Sequence, residues 1–217
     1  KALERSPQSR ETHWKRVYSS ISAYEQSIRQ NRDRLAANLG AGDARLPADA
    51  PGRFHFERLA TLEQDSLLAS TPSTTFHAVR WPVLKGVTAE GVLLKPVKPR
   101  AYVVAIPDAD WTPEMFSGLT EELPPVLQLA RRLADQGCLV VVPTLISRED
   151  TFSGHPAVGF TNQPHREFLY RQSFQLGRHV IGYEVQKIRA AVDLLQQLAT
   201  TESTKDQGET AQLPVGL

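Results

Sequence analysis

The sequence predicts an α/β protein: a sheet that starts antiparallel, continues with parallel strands and crossover helices, and follows an N-terminal helical extension. Three observations predict it. Residues 74–84 and 88–94 read as neighbouring strands that turn at Gly86. Two short apolar runs, 101–106 and 138–142, have the composition of strands buried on both faces of a parallel sheet. Helical periodicity fills the intervals between and after those runs.

Residues 12–39 carry Trp14, Val17, Tyr18, Ile21, Tyr24, Ile28 and Leu35 at three- and four-residue steps, which predicts one amphipathic helix. Thr12 is placed to cap its start, and Gly40, Gly42 and Pro47 end it. Arg16, Arg29, Arg32 and Arg34 lie on the other face, as a solvated, ion-paired surface or a binding patch. Residues 41–72 are broken by Gly42, Pro47, Pro51, Gly52 and Pro72 into an irregular connection, with room for a short helix or strand near 54–68.

Residues 74–84 and 88–94 then form a hairpin, bounded by Lys95-Pro96. The run 101–106 ends at Pro107-Asp108. A helix is expected over 123–136, with Gly137 as its stop, and the second buried strand at 138–142 closes at Pro143. A polar loop runs to about residue 163. A long helical region follows over 167–199, in which Ile181, Val185, Ile188, Val192 and Leu195 form a core-facing stripe. The polar stretch 200–212 leads to a third apolar strand at 213–217. Two units result: an extension and connection over 1–72, and a sheet domain over 73–217.

Composition narrows the function classes. With 41% hydrophobic and 23% charged residues the chain can build a core, which excludes wholesale disorder. A net charge of +1 asks for no nucleic-acid partner, and no apolar run is long enough for a membrane span. Cys138 is the only cysteine, so it forms no internal disulfide, and no Cys/His spacing suits zinc. It reads as a small buried hydrophobe. No G-x-G-x-x-G, G-x-x-x-x-G-K-[ST] or H-E-x-x-H is present, so neither a nucleotide cofactor nor a metal is expected.

Ligands of open α/β sheets bind at the C-terminal ends of the strands. Those ends are residues 106–111 and 143–150. The layout of hairpin, strand, helix, strand, long loop, helix and strand is similar to the first half of the α/β-hydrolase fold. The stretches NQPHREFLYR (162–171) and LGRHVIGYEVQK (176–187) strengthen the likeness. So do the loop at 108–110 and the segment DTFSG at 150–154. Together they resemble a family of bacterial α/β-hydrolases similar to acetyl-xylan-esterase and dienelactone-hydrolase-like proteins, over residues 12–217. The N-terminal helix is similar to the extension those proteins carry.

The resemblance implies a serine nucleophile activated by a histidine, an acyl-enzyme hydrolysed by water, and no cofactor. It implies a carboxylic-ester substrate, with acylated carbohydrate as one example, and an exported or cell-envelope location. It places an oxyanion-hole N–H at Asp108 or Ala109 and a G-x-S-x-G elbow after the strand that starts at Leu213. That motif is absent from residues 1–217, and Ser147, Ser153 and Ser173 lack its strand–turn–helix setting. No catalytic side chain is therefore assigned. The nucleophile, acid and histidine are expected beyond residue 217, in the same polypeptide or a second chain.

Asp110, Trp111, Arg148, His165, Arg166 and Tyr170 are candidates for the substrate wall. Arg148, Glu149 and Asp150 also suit a local salt network, and His165 and Arg166 a helix-capping and ion-pair role. His77 and Trp81 read as sheet packing, and His179 as a structural hydrogen-bond partner. Two other classes stay open: a non-catalytic α/β binding or scaffold module, and a peptidase or amidase on the same fold.

Overall fold

The computed structural model describes residues 2–151, 153–205 and 215–216. Its elements run α1 (Ala2–His13), α2 (Ile21–Asn38), β1 (Glu57–Arg58), β2 (Leu67–Ser70), β3 (Thr74–Leu84) and β4 (Val87–Pro96). They continue with β5 (Ala101–Val104), α3 (Pro113–Phe116), α4 (Leu129–Asp135) and β6 (Cys138–Pro143). The last are α5 (His165–Gln175), α6 (Val180–Lys205) and β7 (Val215–Gly216).

The sheet has the strand order β1-β3-β4-β6-β5-β7, with β2 also paired to β3. The hairpin β3–β4 turns at Gly86, whose φ of 74° lies in the left-handed region open to glycine. β4 pairs antiparallel with β6, while β5 runs parallel to both β6 and β7. This is the mixed α/β sheet that the sequence predicted, antiparallel first and then parallel.

Alternation along these strands feeds two cores. On one face Val79, Trp81, Tyr102, Val104, Leu139 and Val141 meet Ala191, Leu194 and Leu195 of α6. On the other, Phe76, Val92, Leu94, Val140 and Val142 meet Phe116 of α3 and Ala130 and Ala134 of α4. Trp81 is fully buried, edge-on to Phe56 at 5.7 Å, and donates its indole N–H to the Lys187 carbonyl at 3.2 Å. The packing role read for it from sequence is the one it has.

Several expectations need correction. The single helix over 12–39 is two helices, because Ser20 stops and restarts the chain. Its extended backbone and hydroxyl cap α2 by accepting from the Ala23 N–H at 3.1 Å. Thr12 is no cap; it lies inside α1 and donates to the Gln8 carbonyl at 2.9 Å. Of the apolar stripe only Ile28 is buried.

The strand over 101–106 ends at Val104, since Pro107 has no N–H to continue a ladder. The helix over 123–136 shrinks to α4, because Pro124 and Pro125 cannot donate and residues 124–128 turn instead. Gly137, at φ 88°, does end it. The long helix over 167–199 is α5 and α6, broken at Gly177 (φ 70°). The polar stretch 200–212 begins as the last turns of α6, and its residues 206–212 lie outside the described ones. Of the strand expected at 213–217, Val215 and Gly216 form β7; the rest lies outside the described residues.

Residues 40–53 bind the extension to α6. Gly182 lies so close to the Leu39 carbonyl that a Cβ there would collide with backbone. Arg178 donates to Asp43 at 2.6 Å, and Gln186 to the Ala41 carbonyl at 2.8 Å. Asp193 pairs with Arg45 and, at 3.2 Å, with Arg53.

Candidate active site

The connections that leave β5 and β6 diverge. After β5 the chain crosses one face through α3 and α4; after β6 it crosses the other through α5 and α6. Adjacent parallel strands whose connections part in this way leave a crevice at their C-terminal ends, the usual place for a ligand. Here it is a cleft of about 380 Å³. Asp110, Trp111 and Glu114 line one wall, and Thr144, Ser147 and Arg148 the other.

The first wall comes from a tight turn. The Asp108 carboxylate accepts from the Asp110 N–H at 3.3 Å, and its carbonyl from the Trp111 N–H at 3.0 Å. Thr112 then caps α3, accepting from the Met115 N–H at 3.2 Å, with Pro113 at the first helical position. Phe116 anchors that turn in the core and lies 5.7 Å from Trp111. Among the described residues, no hydrogen bond takes up the N–H groups of Asp108 and Ala109.

The second wall is stapled from beneath. Glu184, buried on α6, accepts both guanidinium nitrogens of Arg166 at 2.6 and 2.7 Å and the Ile146 N–H at 3.2 Å. Arg166 also donates to the Ile146 carbonyl at 3.1 Å. The hydrogen bond to Glu184 raises the guanidinium pKa further, so Arg166 stays charged. Backbone bonds from His165 to Glu149 at 2.8 Å and from Arg166 to Ser147 at 2.9 Å complete the brace.

Arg148 joins the two walls. It donates to Asp110 at 3.0 Å and lies 3.7 Å from Asp108, so its partners sit across the cleft rather than at Glu149 and Asp150 beside it. On its other side it borders a second cleft of about 330 Å³, lined by Arg166, Tyr170, His179 and Ile181 among others. Tyr170 and His179 meet edge-to-face there at 5.1 Å, while His179 Nδ1 accepts from the Ile181 N–H at 3.1 Å. That bond is the structural role predicted for His179.

The predicted wall residues therefore divide between two clefts. Asp110 and Trp111 face the first, Arg166 and Tyr170 the second, and Arg148 both. Arg166 is spent largely on Glu184. His165 opens α5 and contributes its backbone to the brace. Sequence reading missed Glu114 as a cleft residue and reached Thr144 and Ser147 only as members of the strand-end segment 143–150. A signal was present: Thr112-Pro113 is an N-cap followed by a first-position proline, and Thr144 directly follows a strand end. Among the described residues no group of three or more His, Cys, Asp and Glu converges as a metal site, and no helix is long and apolar enough to cross a membrane.

No known protein-family profile matches the chain, and no curated protein matches it. Among solved structures the chain is similar to one from Bacteroides fragilis NCTC 9343, described as a "putative acetyl xylan esterase". Identity is 16% and the TM-score 0.51; the match covers 88% of this chain and 48% of that one. This chain thus spans about half the length of that neighbour. The likeness is one of fold: a mixed α/β sheet with helices.

Proposed function

We propose that this chain supplies the sheet, one oxyanion donor and a substrate wall to a serine hydrolase that acts on carboxylic esters, acylated carbohydrate among them. The observation that carries the reading is the cleft between the loops that follow β5 and β6, at the C-terminal edge of the sheet. An N–H at Asp108 or Ala109 is the candidate for stabilising the oxyanion of a tetrahedral intermediate. Asp110, Trp111 and Arg148 form the wall around the acyl or alcohol group, and Tyr170 extends it into the second cleft. No side chain of this chain acts as nucleophile in this reading. The Ser-His-acid set comes from a complementary segment, of the same polypeptide or of a second chain, and the fold neighbour's greater length accords with such a segment.

The test is turnover of p-nitrophenyl acetate by the natural full-length protein, together with labelling by a serine-directed fluorophosphonate. Turnover abolished by the probe, with the label mapped to a serine of a G-x-S-x-G sequence, supports the reading. Labelling without ester turnover, but with anilide cleavage, replaces it with an amidase. Neither labelling nor turnover leaves a binding or scaffold module.

A further inference from the structure

The whole-chain charge of +1 conceals a segregation. Residues 1–40 hold eight Lys and Arg against four Asp and Glu, while residues 41–217 hold seventeen against twenty. The basic end is also where apolar side chains stand in solvent. Around the turn between α1 and α2, Trp14 is 42% exposed, Val17 45%, Tyr18 74% and Ile21 81%. Isolated exposed apolar residues are ordinary; a contiguous set at one tip marks an interaction surface.

The tip is ordered by its own contacts. Val17 N–H donates to Ser27 Oγ at 3.1 Å and Asn31 to the His13 carbonyl at 2.9 Å, so the turn folds back on α2. Tyr18 stacks on Tyr24 at 5.7 Å, and the Arg16 guanidinium lies 4.9 Å over the Trp14 ring. Arg10, Glu11, Trp14, Arg16 and Tyr18 line a shallow concavity of about 540 Å³, in which two cations outnumber one carboxylate. The opposite end of the arm, residues 40–43, is fastened to α6. The arm therefore presents an apolar, basic tip while its base is held by the folded domain.

We propose that this tip docks on an anionic lipid surface. Trp and Tyr favour the headgroup region, where an apolar ring and a polar edge are both satisfied. Val17 and Ile21 can enter the acyl boundary beside them, and Arg10, Lys15 and Arg16 are placed to meet lipid phosphates. A nucleic acid would use the same cations but gives the two aliphatic side chains no partner. This surface is independent of the cleft at the sheet edge, so its test does not depend on the hydrolase reading.

The experiment is co-sedimentation of the protein with vesicles of phosphatidylcholine alone and of phosphatidylcholine mixed with phosphatidylglycerol. Binding to the mixed vesicles only, weakened by salt, is expected. The pair Lys15→Glu and Arg16→Glu lowers the partition coefficient by about 25-fold or more, at about fivefold for each cation lost. The triple change Trp14→Ala, Tyr18→Ser and Ile21→Ser lowers it with every charge intact. In the unaltered protein, bromine-labelled acyl chains quench tryptophan emission, and Trp14→Phe removes the quenching; Trp81 is fully buried, and Trp111, half-buried in the sheet-edge cleft, would keep its quenching in Trp14→Phe if that cleft met the lipid instead. No binding to the anionic vesicles, equal binding to both kinds, or unaltered binding of the variants overturns the proposal. So does a dimer or a polynucleotide complex that the same substitutions dissolve, which would assign the tip to a second copy or to nucleic acid.

Discussion

At Glu184 a single carboxylate ties three segments together: α6, the start of α5 through Arg166, and the loop after β6 through the Ile146 N–H. A buried ion pair contributes little net stability as a pair, but removing one partner strands the other. Glu184→Ala is expected to destabilise the protein by about 3–5 kcal/mol. Denaturant unfolding measures that loss, and hydrogen exchange should rise first in residues 144–166. Lys187, about one turn further along the same helix, gives a pH signature. Burial pushes its ammonium below the ordinary 10.5, against the pull of Glu184 and Glu90. In the window just below 10.5 the unfolded chain then holds more protons than the folded one, so this group's contribution to stability rises with pH. At neutral pH the charged form is carried at a cost. Lys187→Met should therefore raise the melting temperature at neutral pH, and the gain should shrink as pH climbs through that window. A gain that grows with pH would overturn this account.

At the scale of elements, β4 and β6 meet too closely for a side chain at Gly91. A Cβ there would run into the Val142 carbonyl oxygen, a backbone atom that cannot yield without breaking the ladder. Gly91→Ala is expected to cost about 1–3 kcal/mol, read from the denaturation midpoint, as overpacking does elsewhere. A neutral result would mean that this pairing is looser than the register indicates. The helices show how much of an element is legible in sequence. Gly137 and the helical period of α6 were readable, because a left-handed stop and a period are local properties, but the buried face was only partly so: Leu195 of the expected stripe is buried beside Ala191 and Leu194, while Ile181 is exposed. The break at Ser20 was not, because the same apolar spacing serves one helix or two. Pro124 and Pro125 were visible and decisive, and the shorter α4 follows directly from their missing N–H groups.

For the molecule as a whole, the cleft exists because β5 lies between β6 and β7, so that successive connections leave on opposite faces. Trp111 is the largest side chain lining the cleft. In the hydrolase reading, Trp111→Ala should raise KM for p-nitrophenyl acetate by about tenfold with a smaller effect on kcat, since one apolar contact is worth about 1–3 kcal/mol. An unchanged KM would remove Trp111 from the wall.

Legibility of the site followed the same logic. Residues 106–111 and 143–150 could be nominated from sequence because strand ends are local and ligands gather there. The alternation of apolar strands with helices was enough to determine the α/β class, since a parallel sheet must bury both faces. Strand neighbours, the division of the wall into two clefts, and the turn of Arg148 toward Asp110 were decided only by tertiary structure. They depend on which segments meet across tens of residues, and a one-dimensional pattern carries no record of those distances. The exposed tip at Trp14 was likewise hidden: a periodic apolar stripe looks the same whether it faces a core or solvent, and only packing distinguishes the two.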